Sequence, residues 1–495
     1  MSNGLGHVKG HIPDRPTAED TTKDVDYSKI IERMDALLSA EIARAEKIDN
    51  YYYGKHPNPY MPKEAGHEYK LLAERSINNV MPLIIHNKEQ MLYVEGFMSS
   101  DSTELAKAWD TWQYNRMDSR QVALYHTVLK YGVAYTTILP GEGKHPIIKS
   151  YSPRNMIAAY EDPANDEWPV YALEVLDWYR DGERRYRLYD STHVHTLSVH
   201  TGTPYRVDVM ESEAHGSPYC PVVRWTYNLD LEGRYQGEIE PLMTAQDRLN
   251  QTSMDRLLVQ TFASWKVRTV SGMILSADDR EAYEQKLKVA KDRILVAQDP
   301  DTRFGSLPET PLTGFIQATR ADNEAIAAIA AVPPHYLSGE LNNLGAEAIA
   351  EARAALDANV EQIKHSLGED VEQCMRAISL LIGDTAGAED YTAQVFWRDM
   401  QSRSLASTAD ALGKIATMLG VPEEALWDRL PGVTSSDVER WKLLKQEKQN
   451  ELAEQWELMG GENANTSTTN PQSPTGSQQP NEQRGSETAS DSRSG

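Results

Sequence analysis

Three short stretches carry residues of the types that do chemistry. Gly141-Glu142-Gly143-Lys144 has a lysine behind glycine, as a phosphate loop does, but its two glycines are two positions apart, and His145 stands where Ser or Thr would reach a magnesium ion. A hairpin turn fits it better, and any step driven by a nucleotide would then belong to another protein. Asn228-x-Asp230-x-Glu232-Gly233 opens like a calcium loop with glycine sixth, but its twelfth position is Ile239, so the bidentate glutamate is missing. It reads as a turn ahead of a helix. His193-x-His195, with His200 nearby, sets two imidazoles on one face of a strand. Structural zinc wants four ligands, and no cysteine accompanies the pair, so a solvated or interface strand face is expected. Gly-x-Ser-x-Gly, His-Glu-x-x-His and the dinucleotide fingerprint are all absent. Acidic pairs such as Glu369-Asp370 fall on helix surfaces. These residues predict no metal site, no cofactor and no enzyme. The rival enzymatic reading is a soluble hydrolase using paired carboxylates in the β-rich region, which would need a concave acid pair with shifted pKa values.

The elements that position these residues are bounded first by composition. The 495 residues suggest about three modules at ~150 residues each. The net charge of −24 argues against stationary binding of nucleic acid, which wants a basic patch, but not against a surface along which DNA slides without sticking. No run of 18 apolar residues exists, so no membrane span is expected. Met1 to Thr21 is polar, which predicts no signal peptide. Cys220 and Cys374 lie far apart and read as buried core residues in a reducing compartment.

The chain is organised around Thr313 to Gly383. Asp322 to Ala331 is helix-forming, and Pro333 ends that helix near Val332, because proline lacks the N–H and disfavours helical geometry in the residue before it. A polar stretch, Ser338 to Gly345, separates it from a long helix, Ala346 to about Ile382. On that helix Ile349, Leu356, Val360, Ile363, Leu367, Val371, Cys374, Met375, Ile378 and Leu381 form one stripe, with Glu347, Glu351, Glu361, His365, Glu369, Glu372 and Arg376 opposite. At ~1.5 Å per residue it is roughly 55 Å long, far above the usual ~11–12 residues. A stripe of that length predicts burial against other copies of the chain.

Other helices are expected over Ser28–Asn50, closing near Gly54, and over Asn78–Val94. Asp101-x-x-Glu104 reads as a capping box before Leu105–Met117, and a further helix spans Asp118–Tyr131. The period then changes to two. Ala134–Leu139, Ile147–Tyr151, Val170–Val175, Arg185–Tyr189 and Val222–Trp225 read as strands, making 133–227 a β-rich lobe. A helix follows from Pro241 to Phe262. Beyond it lie a strand at Trp265–Val270, a helix around Asp279–Lys291, and later a strand within Glu389–Met400. Helices are expected over Leu405–Leu419, after Pro422 and over Val438–Met459. Residues 1–25 and 461–495 have disordered composition.

The ordered set Phe304-Gly305-Ser306-Leu307-Pro308, Pro311 to Ile316, Pro333-Pro334-His335-Tyr336-Leu337 and Leu341 to Ala348 resembles tailed-bacteriophage portal proteins. The likeness is to the SPP1-like portal family of the actinobacterial phage type, and it extends over roughly Asp26 to Gly460. It implies a helix-rich α+β fold with wing, stem, clip and crown. The implied boundaries are 26–236 for the wing, 237–263 for the first stem helix, 264–309 for the clip and 310–338 for the second stem helix. A tunnel loop at 339–345 follows, then a long wing helix and strand at 346–399 and a helical crown at 400–460. The implied function is a virion ring at one capsid vertex, generally a homododecamer, assembled in the host cytoplasm. That ring is the channel for packaging and ejecting double-stranded DNA, without sequence specificity. The implied partners are the terminase large subunit, the head-tail adaptor, and the major capsid and scaffolding proteins, with no membrane. Glu340, Leu341, Asn342, Asn343 and Leu344 would face the DNA channel. The basic cluster Lys286, Lys288, Lys291 and Arg293 would contact partners through the clip. Another structural virion protein, such as a minor head protein, is the remaining alternative.

Overall fold

The long helix and the strands named above need partners to cover their apolar sides, and a computed structural model supplies them. It describes residues 27–61, 66–98, 106–180, 183–200, 206–263, 268–271, 303–306, 311–339, 346–398, 405–430, 433 and 435–460. The expected capping box, clip helix and both terminal segments lie outside these residues. Contacts divide the chain into two units, Met1–Arg403 and Ser404–Gly495.

The first unit begins with α1 (Tyr27–Tyr52), α2 (His67–Arg75), α3 (Met81–Glu89), β1 (Val94–Met98), α4 (Lys107–Tyr114) and α5 (Met117–Tyr131). Next come β2 (Ala134–Leu139), β3 (Ile147–Tyr151), β4 (Met156–Ala159), β5 (Tyr171–Arg180), β6 (Glu183–Tyr189), β7 (His193–His200), β8 (Arg206–Ala214) and β9 (Val222–Trp225). The unit continues with α6 (Met243–Ala263), β10 (Arg268–Ser271), β11 (Arg303–Ser306), α7 (Thr313–Ile329), α8 (Pro334–Ser338), α9 (Ala346–Leu381), α10 (Thr385–Ala388) and β12 (Gln394–Trp397). The second unit holds α11 (Leu405–Leu419), a 3-10 turn (Glu423–Arg429) and α12 (Ser435–Gly460), with Trp427 packed edge-on to Trp441 at 6.0 Å. The fold is helix-rich α+β, as expected.

All paired strands are antiparallel. β4-β5-β6-β7-β8 form a five-stranded meander, β3-β2-β9 a second sheet, and β1 pairs with β12 across some 300 residues of sequence. The β8 strand was not legible as a strand because it carries charge on both faces and is almost wholly exposed. The expected single helix at Asn78–Val94 is instead α3 followed by β1. Pro82 near its start and the Asn79 side chain accepting the Met81 N–H (3.2 Å) set where α3 begins. Beyond Glu89 the chain turns to meet β12, a partner no local pattern reveals.

The stripe on α9 corrects the expectation drawn from it. Leu356, Val360, Ile363, Leu367, Val371, Cys374, Met375 and Ile378 are each at most 1 % exposed within this one chain. α4, β2, β9, β12 and α10 wrap the helix from its own unit. From Leu356 onward the stripe therefore asks nothing of another copy. Glu351, Glu361, His365 and Glu369 are exposed on the far side, as expected. Arg376 is drawn down instead: its Nη2 donates to Glu167 (2.7 Å), and it lies over the Tyr391 ring.

α1 spans two cores. Ile30, Ile31, Met34 and Leu38 pack on the five-stranded sheet, and Ala45, Ile48 and Tyr51 enter the core that surrounds α9. Beside its second half the backbone turns at Gly132 and Gly237 press together. Gly132 has φ +86°, and a Cβ on Gly237 would sit 2.4 Å from the Lys130 carbonyl oxygen, a backbone atom that cannot swing away. The Glu238 N–H donates to the Leu129 carbonyl (2.8 Å) across this contact. We expect Gly237→Ala to destabilise the fold by about 1–3 kcal/mol, read as a lowered thermal midpoint. An unchanged midpoint would mean that the two turns separate freely.

Candidate functional site at the helix corner

The end of α7 is where the chain leaves a packed helix and enters 340–345, and it is held from below by α6. Asp322 on α7 is buried and accepts from Arg248 Nε and Thr252 Oγ1 of α6, both at 2.7 Å. α6 is itself stitched to the start of the unit. The buried Gln246 donates to the Asn78 carbonyl (2.7 Å), Asn250 accepts the Asn78 N–H (3.0 Å), and Tyr51 OH donates to Asp247 (2.8 Å). The buried amides of Gln246 and Asn250 are hydrogen-bonded at both ends, which is what makes their burial tolerable.

α7 closes by backbone bonds from Ala331 N–H to Ala328 O (3.3 Å) and from Val332 N–H to Ala327 O (2.9 Å). This is the Schellman pattern, whose left-handed position usually holds glycine. Here Ala331 occupies it at φ +54°. The helix thus ends at Ile329, three residues before the expected Val332, with the closure itself running to Val332. Pro333 is extended, α8 makes one turn, and Gly339 (φ +68°) leads out of the corner. Beneath the corner lies a cavity of about 230 Å³ bordered by Lys88, Tyr227, Glu238, Ala331, Asn359 and Gln362. Lys88 is 1 % exposed, with its Nζ 2.7 Å from Glu238, whose other oxygen accepts from Tyr227 OH (2.9 Å). Burial and the adjacent Glu238 carboxylate hold the Tyr227 hydroxyl far above its ordinary pKa.

The residues expected to face a channel, Glu340, Leu341, Asn342, Asn343 and Leu344, lie outside the described residues, as do Lys286, Lys288, Lys291 and Arg293. What is described is their frame. Gly339 and the start of α9 bracket the first set. The β10–β11 ladder, Arg268 opposite Ser306 to Ser271 opposite Arg303, draws together the ends of the segment holding the second.

The motifs with chemical potential resolve as structure. Gly141 to Lys144 lie in the β2–β3 hairpin, beyond the Leu139–Ile147 pair. Asp230 caps its own turn, accepting the Glu232 N–H (2.9 Å) and Arg234 N–H (2.8 Å). His193 and His195 do share a strand face, with rings 5.8 Å apart. His195, however, is 5 % exposed, which corrects the expected solvated face. Its Nδ1 meets Ser212 Oγ (2.6 Å) and its Nε2 meets Asp190 (3.0 Å), with Tyr27 OH at 3.3 Å. Ser212 lies directly opposite His195 in the β7–β8 register, so the ladder imposes this contact. Burial works to raise the Asp190 pKa, but the bond to His195 and the N–H groups of His193 and Thr192 outweigh it and hold it at about 2. Among the described residues no three His, Cys, Asp or Glu side chains are grouped to hold a metal ion, and no helix is long and apolar enough to cross a membrane. Cys220 and Cys374 are buried thiols outside any disulfide, as expected, and the Cys220 Sγ donates to the Tyr189 carbonyl (3.7 Å). Among the described residues the strongly raised carboxyls lie on α9 rather than as a pair in the β-rich lobe. Burial pushes up Asp370, which accepts the Thr226 N–H (2.9 Å), and burial with the neighbouring Glu369 lifts Glu372 to about 7.

The described residues form a helix-rich frame that fixes a corner. A model of the family "Phage portal protein, SPP1 Gp6-like" matches residues 31–451, and the chain belongs to that family. It is a portal protein, a component of the virion and not an enzyme. It is 26% identical over 341 residues to the portal protein of Mycobacterium phage D29, spanning 65% of this chain and 69% of the relative. To the portal protein of Mycobacterium phage L5 it is 24% identical over 359 residues, spanning 65% and 68%. Among solved structures it is similar to a chain of the virion of a native gene transfer agent particle (TM-score 0.43, 14% identity, 78% of this chain and 100% of that chain). It is also similar to a chain of the neck of that kind of particle (TM-score 0.41, 12% identity, 77% and 95%).

Two outcomes follow from this geometry. An L-residue in the left-handed region costs roughly 1–2 kcal/mol, so Ala331→Gly should stabilise the fold by about 0.5–1 kcal/mol after the greater entropy of unfolded glycine is offset. A lower denaturation midpoint would contradict the closure described. The Asp190 pKa is depressed from ~3.9 when unfolded to about 2. The carboxylate therefore stabilises above pH ~4, on the order of 2 kcal/mol, and that contribution is lost as pH falls through about 2. Asp190→Asn should be less stable than wild type at pH 5, and the gap should close toward pH 2. A gap independent of pH would remove the carboxylate from this role.

Proposed function

We propose that this chain is the subunit of a closed ring at one capsid vertex. Double-stranded DNA enters and leaves through that ring, and the terminase and the head-tail adaptor dock on it. The observation that carries the reading is the family match over 31–451, together with a helix corner that delivers the chain rigidly into 340–345. In this assignment α6 and α7 are the stem, and their Asp322 pins keep the pair in register while DNA passes. Residues 264–309 are the clip, and the β10–β11 ladder ties its base to the stem. Residues 26–236 and 346–399 are the wing, and 400–460 the crown. A ring of roughly a dozen copies follows from a head-to-tail interface that closes. Capsid and scaffolding proteins surround it during assembly in the host cytoplasm.

The mechanism is weak, repeated contact. A chain of net charge −24 repels phosphate, so DNA does not lodge in the lumen. Asn342 and Asn343 offer polar contacts to the backbone that carry no sequence information and break easily. Lys286, Lys288, Lys291 and Arg293 give the clip a basic face that tunes docking rather than assembly.

One assay with two variants tests this. Deleting Leu341 to Leu344 should leave rings intact by native mass spectrometry while packaging or retention of DNA fails. Reversing Lys286, Lys288 and Lys291 to Glu should leave rings intact while terminase or adaptor docking weakens. Monomers throughout for the unaltered protein would overturn the ring. Normal packaging by the deletion variant would reduce 340–345 to a connector, and unchanged docking by the reversal variant would remove the clip lysines from the interface.

A further inference from the structure

The alternation of hydrogen bonds along β2 leaves one edge of the protein open. The Ile138 N–H donates to the Pro221 carbonyl (3.0 Å), on the β9 side. Ile138 and its alternate neighbours therefore serve β9, while Tyr135, Thr137 and Leu139 serve β3. Ile148 and Ser150, opposite Ile138 and Thr136, consequently turn their backbone groups away from the sheet. The first part of that edge is already occupied. Asn115 acts as a short mimic of a strand, its Oδ1 accepting the Ile148 N–H (3.0 Å) and its Nδ2 donating to the Pro146 carbonyl (2.9 Å). At the far end the Ser152 carbonyl accepts the N–H groups of Asn155 and Met156 in a turn. Between these stops, the Ile148 carbonyl and both backbone groups of Ser150 have no partner among the described residues.

Ile148 is fully buried, so it is the exposed Ser150 that faces a cleft of about 450 Å³ between β3 and α5, bordered by Arg120, Ala123 and Thr127 on the helix and by Lys149 and Ser150 on the strand. That volume is within the ~300–1,000 Å³ of ligand clefts. Ala123 and Thr127 are small, which leaves the helix standing clear of the edge. Arg120 and Lys149 are exposed, and among the described residues neither has a carboxylate partner. In a chain with 74 Asp and Glu against 50 Lys and Arg, two unpaired cations beside an unpaired strand edge select for acid.

We propose that this edge is a docking site for an extended acidic segment of a partner protein, which adds to β3 as a further strand beside α5. An unsatisfied edge is a template for such pairing. The donor and the acceptor at Ser150 match one hydrogen-bonded pair of an antiparallel ladder, and Arg120 and Lys149 pair the acidic side chains on either side of it. A phosphate group or DNA fits the site less well, since the outward Ser150 carbonyl oxygen would repel it.

The test is fluorescence anisotropy on the full-length protein with a labelled hexapeptide alternating glutamate and valine, against a lysine–valine hexapeptide of the same length. The acidic peptide should bind saturably and the basic one should not. Ser150→Pro removes only an outward N–H, a substitution that edge strands tolerate, and should weaken binding about tenfold. The double variant R120E/K149E should weaken it by at least as much, and it carries the test if Ser150→Pro lowers the thermal midpoint. Equal binding of both peptides, no saturable binding, or unchanged affinity in the double variant would overturn the proposal. So would displacement of the peptide by inorganic phosphate or a DNA duplex at equal concentration, which would make this an anion site.

Discussion

The fold depends on buried charges that are fully paired where α1, α5 and the entry to α6 meet. Arg44 is the hub. Its guanidinium holds Glu41 (2.6 Å), forks onto Glu240 (2.9 Å through Nε), and donates to the Tyr131 carbonyl (2.7 Å). One helical turn along, Asp49 gathers Lys130 (2.5 Å), Arg154 (2.6 Å) and the Tyr131 hydroxyl (2.6 Å). Such pairs add little net stability when intact, but losing one partner leaves an uncompensated buried charge, at a cost of ~3–5 kcal/mol. They therefore act as locators, admitting one arrangement of α1 against the Gly132–Gly237 turns. That arrangement sets where α6 begins, and α6 in turn sets α7 through Asp322. The position of the corner at Ala331 is inherited, step by step, from charges some distance away.

The self-burial of α9 changes where an interface between copies must lie. A long amphipathic helix invites the idea that neighbours complete its core, but this helix is completed by its own unit from Leu356 to Ile378. What it offers outward is Glu351, Glu361, His365 and Glu369, which are exposed and mostly acidic. Contact between copies along that face would be governed by charge and by salt rather than by apolar area. Subunits with finished cores can meet as folded bodies, as transient and reversible interfaces do, whereas an obligate interface resembles a core cut in half.

Periodicity made much of the fold legible. α1, α5, α6, α7 and α9 and five of the strands are regular patterns that the local sequence itself displays. What it hid is instructive. β1 exists only because Gln394–Trp397 lies beside it, and β8 is an exposed charged edge whose residues favour no particular state. His195 was expected on a solvated or interface strand face, because a two-residue spacing reports which face a side chain is on, but not what covers that face. Asp190, Ser212 and Tyr27 close over it from three separate elements. At the corner, Pro333 gave the helix end to within three residues. The alanine in glycine's position was invisible, since nothing in Ala330-Ala331-Val332 announces a left-handed backbone.

That alanine ties the corner to its surroundings. A non-glycine residue at φ +54° persists only when its neighbours over-determine it. Here the N–H groups of Ala331 and Val332 are both committed to α7 carbonyls, Ala330 and Val332 are buried, and Pro333 fixes the next φ. Freeing the corner would break those bonds and expose that apolar surface together. Unwinding α7 is therefore costly, and the next place where the backbone can turn freely lies beyond Pro333, at Gly339, whose backbone admits the left-handed region without strain. A rigid helix end followed by one permissive residue lets the chain change direction at Gly339 while the α6–α7 pair and the charges beneath stay undisturbed.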